Sequence, residues 1–203
     1  MPMKATLKHA LASILLVLSF VAPLAAAPPD DDAEMKAVDA LGRHDFANAV
    51  KFFRIAADQG GPVAQSMLGM LYETGQGVPK NPAEAVKWYR LAATQGFTGA
   101  QSSLGDMYYH GWGIPKNYAE AAKWRQMAAD SDDRDAQAKL GIMYLAGKGV
   151  PQNNIRAHMW FSLAAAQGYQ AAADARDVAA RHMTPAQIAE AQKLAREWKP
   201  RQK

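Results

Sequence analysis

Residues 68 to 81 read Leu68-Gly69-Met70-Leu71-Tyr72-Glu73-Thr74-Gly75-Gln76-Gly77-Val78-Pro79-Lys80-Asn81, and Ala85, Trp88, Ala92-Ala93 and Gly96 follow. Moved on by 36 positions, the phrase returns as Leu104-Gly105, Tyr108, Gly111, Gly113, Ile114-Pro115-Lys116-Asn117, Ala121, Trp124 and Ala128-Ala129. A further 36 positions give Leu140-Gly141, Tyr144, Gly147, Gly149, Val150-Pro151, Asn153, Ala157, Trp160, Ala164-Ala165 and Gly168. A fixed period in this range marks stacked repeats, in which each unit buries its apolar face only against its neighbours.

One unit can be read residue by residue. Ala64, Leu68 and Tyr72 are spaced by four and share one helical face. Gly69 lies beside that face; its cost of about 1 kcal/mol against Ala in a helix interior calls for the close approach of a neighbouring helix. Gly75 and Gly77 end the helix, because glycine readily takes the left-handed conformation of a C-terminal cap. Val78 is the apolar residue of the turn, placed to fill the gap between two helices. Asn81, Pro82 and Glu84 write a helix start, with Asn as cap, Pro at the first position and Glu completing a capping box. Ala85, Trp88 and Ala92 form the next inward stripe, which Gly96 stops. In the second copy Asp132 replaces Gly96 and Gly168, and Asp also tolerates that backbone region. In the third copy Arg156 replaces the capping-box Glu, which predicts a weaker helix start.

The pattern Ala-x3-Leu-Gly-x2-Tyr-x2-Gly-x-Gly-Val-Pro, then Ala-x2-Trp and Ala-Ala, resembles the Sel1-like repeat, a relative of the tetratricopeptide repeat. The resemblance spans residues 62 to 168. It implies an all-α fold, a right-handed α/α superhelical solenoid of helical hairpins that binds other proteins, and it carries no catalytic residue. It also implies that the first helix of each unit lines the concave face. The stripe then runs through Ser66, Met70 and Glu73, through Ser102, Asp106, Tyr109 and His110, and through Ala138, Ile142 and Leu145. These positions differ between copies while the packing positions repeat, as a partner-binding groove requires and as any unconstrained surface also shows. Met and aromatic residues along it suit peptide contacts. Substitution at Tyr109 or Asp106 is expected to weaken partner capture without lowering thermal stability.

The flanks read differently. Residues 1–27 begin with Lys4, Lys8 and His9, continue with an uncharged apolar run from Ala10 to Ala22, and close on Pro23 and Ala25-Ala26-Ala27. This is the layout of a secretory signal peptide, too short and Pro-interrupted for a good membrane span. Pro28 disfavours cleavage after Ala27, so the cut is expected after Ala26. The expected location is the periplasm or the exterior, with an uncleaved membrane anchor as the alternative. Residues 28–61 read as a degenerate N-terminal capping hairpin, since Ala49, Phe52, Ala56-Ala57 and Gly60 lie 36 positions before their counterparts. Repeats follow at 62–97, 98–133 and 134–169. Residues 170–203 form C-terminal capping helices and a basic tail, in which Thr184-Pro185 restarts a helix with the stripe Ile188, Ala191, Leu194, Ala195 and Trp198.

Of the 203 residues 49% are apolar and 21% charged, and none is cysteine, which excludes disulfides, thiolate nucleophiles and cysteine zinc sites. Without Lys4 and Lys8 the chain keeps 21 basic against 19 acidic residues, a balance that gives no nucleic-acid signal. His44, His110, His158 and His182 have no second His or Cys at metal-ligand spacing. The Gly-x-Gly pairs follow helices rather than strands, so they are turns and not phosphate loops. Asp130-Ser-Asp-Asp-Arg-Asp135 lacks the Gly and Glu of a calcium loop. The sequence thus predicts a non-enzymatic scaffold without cofactor or metal. Its partner is a protein or peptide, not nucleic acid, and it makes no stable membrane insertion once the signal is removed. The alternative is a cell-envelope hydrolase of the cell-wall or β-lactam-binding type, an activity claimed for some cysteine-rich relatives. The absence of cysteine and of a visible nucleophile–base pair counts against it.

Overall fold

The computed structural model describes residues 32–201; the expected signal peptide at 1–27 lies outside them. Among the described residues there are ten helices and no strand. The first hairpin is α1 (Ala33–Gly42) and α2 (Phe46–Asp58). The three repeats supply α3 (Pro62–Thr74) with α4 (Pro82–Thr94), α5 (Thr98–His110) with α6 (Tyr118–Asp130), and α7 (Arg134–Ala146) with α8 (Asn154–Ala166). The chain continues with α9 (Gln170–Ala180) and α10 (Pro185–Glu197). From α1 to α9 each helix packs on the next, and α10 packs on α8. This is a helical solenoid.

The three glycines of the first helix and its turn do separate work. An added Cβ at Gly69 would sit 2.8 Å from the Tyr89 ring, one at Gly105 2.8 Å from Cγ of Arg125, and one at Gly141 2.7 Å from the Phe161 ring. The missing side chain therefore admits a bulky residue from the second helix of the same hairpin. Gly75, Gly111 and Gly147 are left-handed C-caps with φ of 80°, 79° and 64°. The second glycine of each pair does more than end a helix. A Cβ at Gly113 would fall 2.3 Å from the backbone of Pro82, and one at Gly149 2.1 Å from the carbonyl oxygen of Tyr118. Each of these turns presses on the start of the second helix of the preceding repeat.

The helix starts correct one expectation. Asn81 caps α4 by accepting the N–H of Glu84 at 3.1 Å. The Glu84 carboxylate does not return to the cap; it binds Nζ of Lys87 at 2.7 Å. The reason is that the Asn81 N–H already donates to the Tyr72 carbonyl at 2.8 Å, pinning the turn. Asn117 and Asn153 repeat the bond to Tyr108 and Tyr144. Because the cap takes a backbone N–H, Arg156 keeps it at 2.9 Å and its helix loses no cap bond. Both partners of a capping box are present at α10, between Thr184 and Gln187.

The tryptophans lie in the packing layers. Trp124 and Trp160 are buried, and Trp88 is half-buried against the cluster built by α1, α2 and α3. Asp132 takes a left-handed φ of 66°, as its place in the repeat requires. The C-terminal segment departs from simple end-capping. α9 covers α8, but α10 turns back along α8, and Trp198 meets the Trp160 ring edge-on at 6.1 Å. The tail then reaches α6, where the Arg201 N–H donates to the Asp130 carbonyl at 2.6 Å.

Candidate partner-binding face

The first helices α3, α5 and α7 carry the expected stripe, and the structure sorts its members. Met70 is half-buried between the clusters of the first two hairpin layers, and Leu145 packs beside Phe161, so both serve the core. Ala138 is buried. Glu73 accepts the Tyr89 hydroxyl at 2.7 Å. Burial and that carboxylate push the Tyr89 hydroxyl far above the ordinary phenol range, so it remains a donor at every physiological pH. Ser66 and Ser102 are half-buried. His110 and Ile142 are exposed.

Asp106 and Tyr109 come together around a residue that the sequence reading missed. Arg125 occupies the position that Tyr89 and Phe161 hold in the other repeats, and it is only 4% exposed. Its Nη2 lies 2.7 Å from Oδ1 of Asp106, and Nζ of Lys139 lies 2.6 Å from Oδ2. One carboxylate thus ties α6 and α7 to α5. The same guanidinium lies 4.4 Å from the centre of the Tyr109 ring. Tyr109 meets Tyr118 edge-on at 5.0 Å, and the Lys148 ammonium lies within 6 Å of both rings. His110 meets the Tyr109 ring edge-on at 5.1 Å and stacks on Trp112 at 4.4 Å. Trp112 is exposed, and with Glu73, Lys80 and Met107 it walls a recess of about 310 Å³.

This geometry corrects the expectation for Asp106. A buried guanidinium stripped of its carboxylate is strongly destabilising. Asp106 therefore cannot be exchanged without loss of stability. Arg125, Lys139 and Lys148 were legible only as breaks in the repeat: an Arg where Tyr and Phe stand, and a Lys at the open place inside Gly147-x-Gly149.

One serine and one histidine of α8 approach each other. Ser162 Oγ lies 3.4 Å from Nδ1 of His158, one turn before it on α8. The hydroxyl donates to the His158 carbonyl at 2.8 Å, and the imidazole is buried. The pair is a helical back-bond inside the packing. Among the described residues no three of His, Cys, Asp and Glu gather as metal ligands, and no helix is long and apolar enough to cross a membrane.

The model of the family described as Sel1 repeat matches residues 40–61, 62–97, 98–133 and 134–169. This chain belongs to the Sel1 repeat family. Among solved structures it is similar to a Sel1 repeat protein from Oxalobacter formigenes, at 35% identity and a TM-score of 0.65, over 70% of this chain and 56% of that one. It is also similar to a protective antigen present in uropathogenic Escherichia coli strains that displays an SLR fold. That match has 26% identity and a TM-score of 0.57, over 74% of this chain and 40% of that one. The chain thus spans about half the length of these relatives or less. No curated protein matches it.

Proposed function

We propose that this Sel1 repeat chain is a non-enzymatic scaffold, exported to the periplasm or beyond, that binds a partner polypeptide along the face of α3, α5 and α7. The observation that carries the reading is the cluster around Tyr109. Repeat-invariant positions are spent on packing, whereas Asp106, Tyr109, Arg125, Lys139 and Lys148 are particular to their own repeats and converge on one face. Of these charges, one carboxylate stands against three cations. An aromatic ring beside surplus cations favours an acidic segment of the partner, held by charge and by ring contact. Membership of a family whose repeats generally serve protein interaction supports the same reading.

The test places a photo-crosslinking residue at exposed Ile142, or at exposed Leu91 on α4, in intact cells. The partner is expected from position 142 and not from 91. A peptide copied from its acidic segment should bind about tenfold more weakly to Tyr109→Ala and to Lys148→Glu, the loss expected of one hot-spot contact. Equal capture from both positions, or unchanged peptide affinity, refutes the face. Export is tested separately by mass spectrometry of the mature N-terminus, expected to begin at Ala27.

A further inference from the structure

The repeats share a second buried feature, a glutamine at the start of each first helix. Gln65, Gln101 and Gln137 are buried, and each donates through Nε2 to the carbonyl eight residues earlier: Ala57 at 3.1 Å, Ala93 at 3.2 Å and Ala129 at 3.3 Å. That bond fixes which way the amide faces. The other end of the amide needs a donor. Gln95 gives one to Gln65 Oε1 at 2.8 Å, and Gln167 gives one to Gln137 Oε1 at 3.0 Å. A ladder of carboxamides therefore runs along the edge of the solenoid, opposite the Gly-x-Gly turns.

The ladder breaks in the middle. Ser131 stands 36 residues after Gln95 and 36 before Gln167. Its hydroxyl donates to the Met127 carbonyl at 3.2 Å and does not reach Gln101. Gln101 Oε1 is buried without a hydrogen-bond partner, although the residue is only 3% exposed. An unanswered buried acceptor is costly, so a donor is in demand there. The oxygen belongs to a residue that lines a recess of about 460 Å³, together with Thr94, Met127, Ser131 and Arg201. This volume is in the range of small-ligand sites.

We propose that this recess binds a carboxamide group from outside the chain, in the place that Gln95 and Gln167 fill in the neighbouring repeats. The chain itself answers this position with a carboxamide twice. The other polar walls agree. The Thr94 and Ser131 hydroxyls already spend their protons on Leu91 and Met127 carbonyls, so their oxygens remain as acceptors for an –NH2 group. Arg201 brings cationic donors for the ligand's carbonyl oxygen and repels an ammonium, which selects the neutral amide. Met127 supplies an apolar wall for the attached chain. The carboxamide can come from a free small amide or from an Asn or Gln side chain of a bound peptide.

The test is a titration of the ¹⁵N-labelled protein with propionamide, following the Gln101 side-chain amide. A saturable shift is expected with propionamide and none with N,N-dimethylpropionamide, which has the same core without an N–H. Ser131→Gln rebuilds the ladder. It should raise the melting temperature and weaken the propionamide response by at least about tenfold, because Gln101 then has an internal donor. Ser131→Ala keeps the recess and the unanswered Gln101 oxygen but removes one acceptor, so its response should stay saturable and weaken by less than in Ser131→Gln. Tighter binding of the tripeptide Ala-Gln-Ala than of propionamide assigns the site to a peptide side chain, and equal binding assigns it to a free amide. Three outcomes overturn the proposal: equal shifts with the two amides, an undiminished response in Ser131→Gln, or no saturable shift, which is the result if solvent alone enters.

Discussion

Gly113→Ala is expected to be far more damaging than Gly96→Ala, although the two glycines have similar backbones. Their φ angles are +70° and +85°, so an alanine at either pays the same left-handed penalty, roughly 1–2 kcal/mol. At Gly96 the new methyl meets nothing within 4 Å. At Gly113 it would lie 2.3 Å from both C and O of Pro82 and 2.5 Å from N of Ala83. These are backbone atoms at the start of α4 and cannot rotate aside. The turn must therefore lift off the preceding repeat, at an overpacking cost of about 1–3 kcal/mol. The sum for Gly113→Ala is about 2–5 kcal/mol against about 1–2 for Gly96→Ala. Urea unfolding followed by helical circular dichroism and by tryptophan fluorescence measures both. Because the clash falls between units of a one-dimensional stack, the two probes should also separate in Gly113→Ala, as coupling between repeats weakens. If the two variants lie within about 0.5 kcal/mol of each other and unfold in one step, the pressing turn is not what holds successive repeats together.

Three further outcomes follow from the same contacts. Asp106→Ala should destabilise by about 2–3 kcal/mol, below the full cost of orphaning a buried charge because Asp106 is itself partly exposed, whereas Arg125→Phe, which copies Phe161, should be neutral or stabilising; equal losses in urea titrations would remove the ion-pair account. His158 is held below the ordinary imidazole value by burial and then by the Arg176 cation, so the unfolded chain takes up the proton first. Stability is therefore complete above about pH 6.5 and falls as pH drops below it; His158→Gln should flatten that part of the curve, and an unchanged slope refutes the assignment. Trp198→Ala should detach α10 from α8 and shift the Trp160 fluorescence to the red, with no loss of helix content in the three repeats; an unshifted spectrum would mean that α10 does not cover Trp160.

What the chain discloses to a reader of its residues is the part that repeats. Leu-Gly, Tyr, Gly-x-Gly and Ala-x2-Trp recur in phase because each does the same packing task in each hairpin, and periodicity makes that task visible. Contacts between hairpins are less visible. Gly77 and Gly75 look alike in the sequence, yet only Gly77 lies against the preceding unit, where an added Cβ would meet Phe46 O at 2.3 Å. Gln65, Gln101 and Gln137 recur as faithfully as the tryptophans, but glutamine reads as surface by default, and only burial reveals that it closes carbonyls between units. The direction of α10 is not encoded in its apolar stripe, which fits a helix that extends the stack as well as one that turns back.

The middle repeat is where this chain departs from its own rule, and the departures have a common physical form. Arg125 replaces an aromatic that fills the notch beside Gly105, and Ser131 replaces the glutamine that would answer Gln101. Neither substitution favours stability. The first buries a cation that must be matched by Asp106, and the second leaves a buried acceptor without a donor. A repeat array tolerates such losses locally, because each unit is coupled only to its neighbours and the flanking copies keep the regular solution. Positions where local consistency is given up without a packing gain are those where selection for something other than stability is expected. Both departures lie in the repeat flanked on each side by another, where neighbouring helices supply the walls. One sets a cation 4.4 Å from the half-buried ring of Tyr109, and the other lies at a recess beside Met127, so the proposed partner face and the proposed carboxamide site rest on two separate places in one unit of the stack.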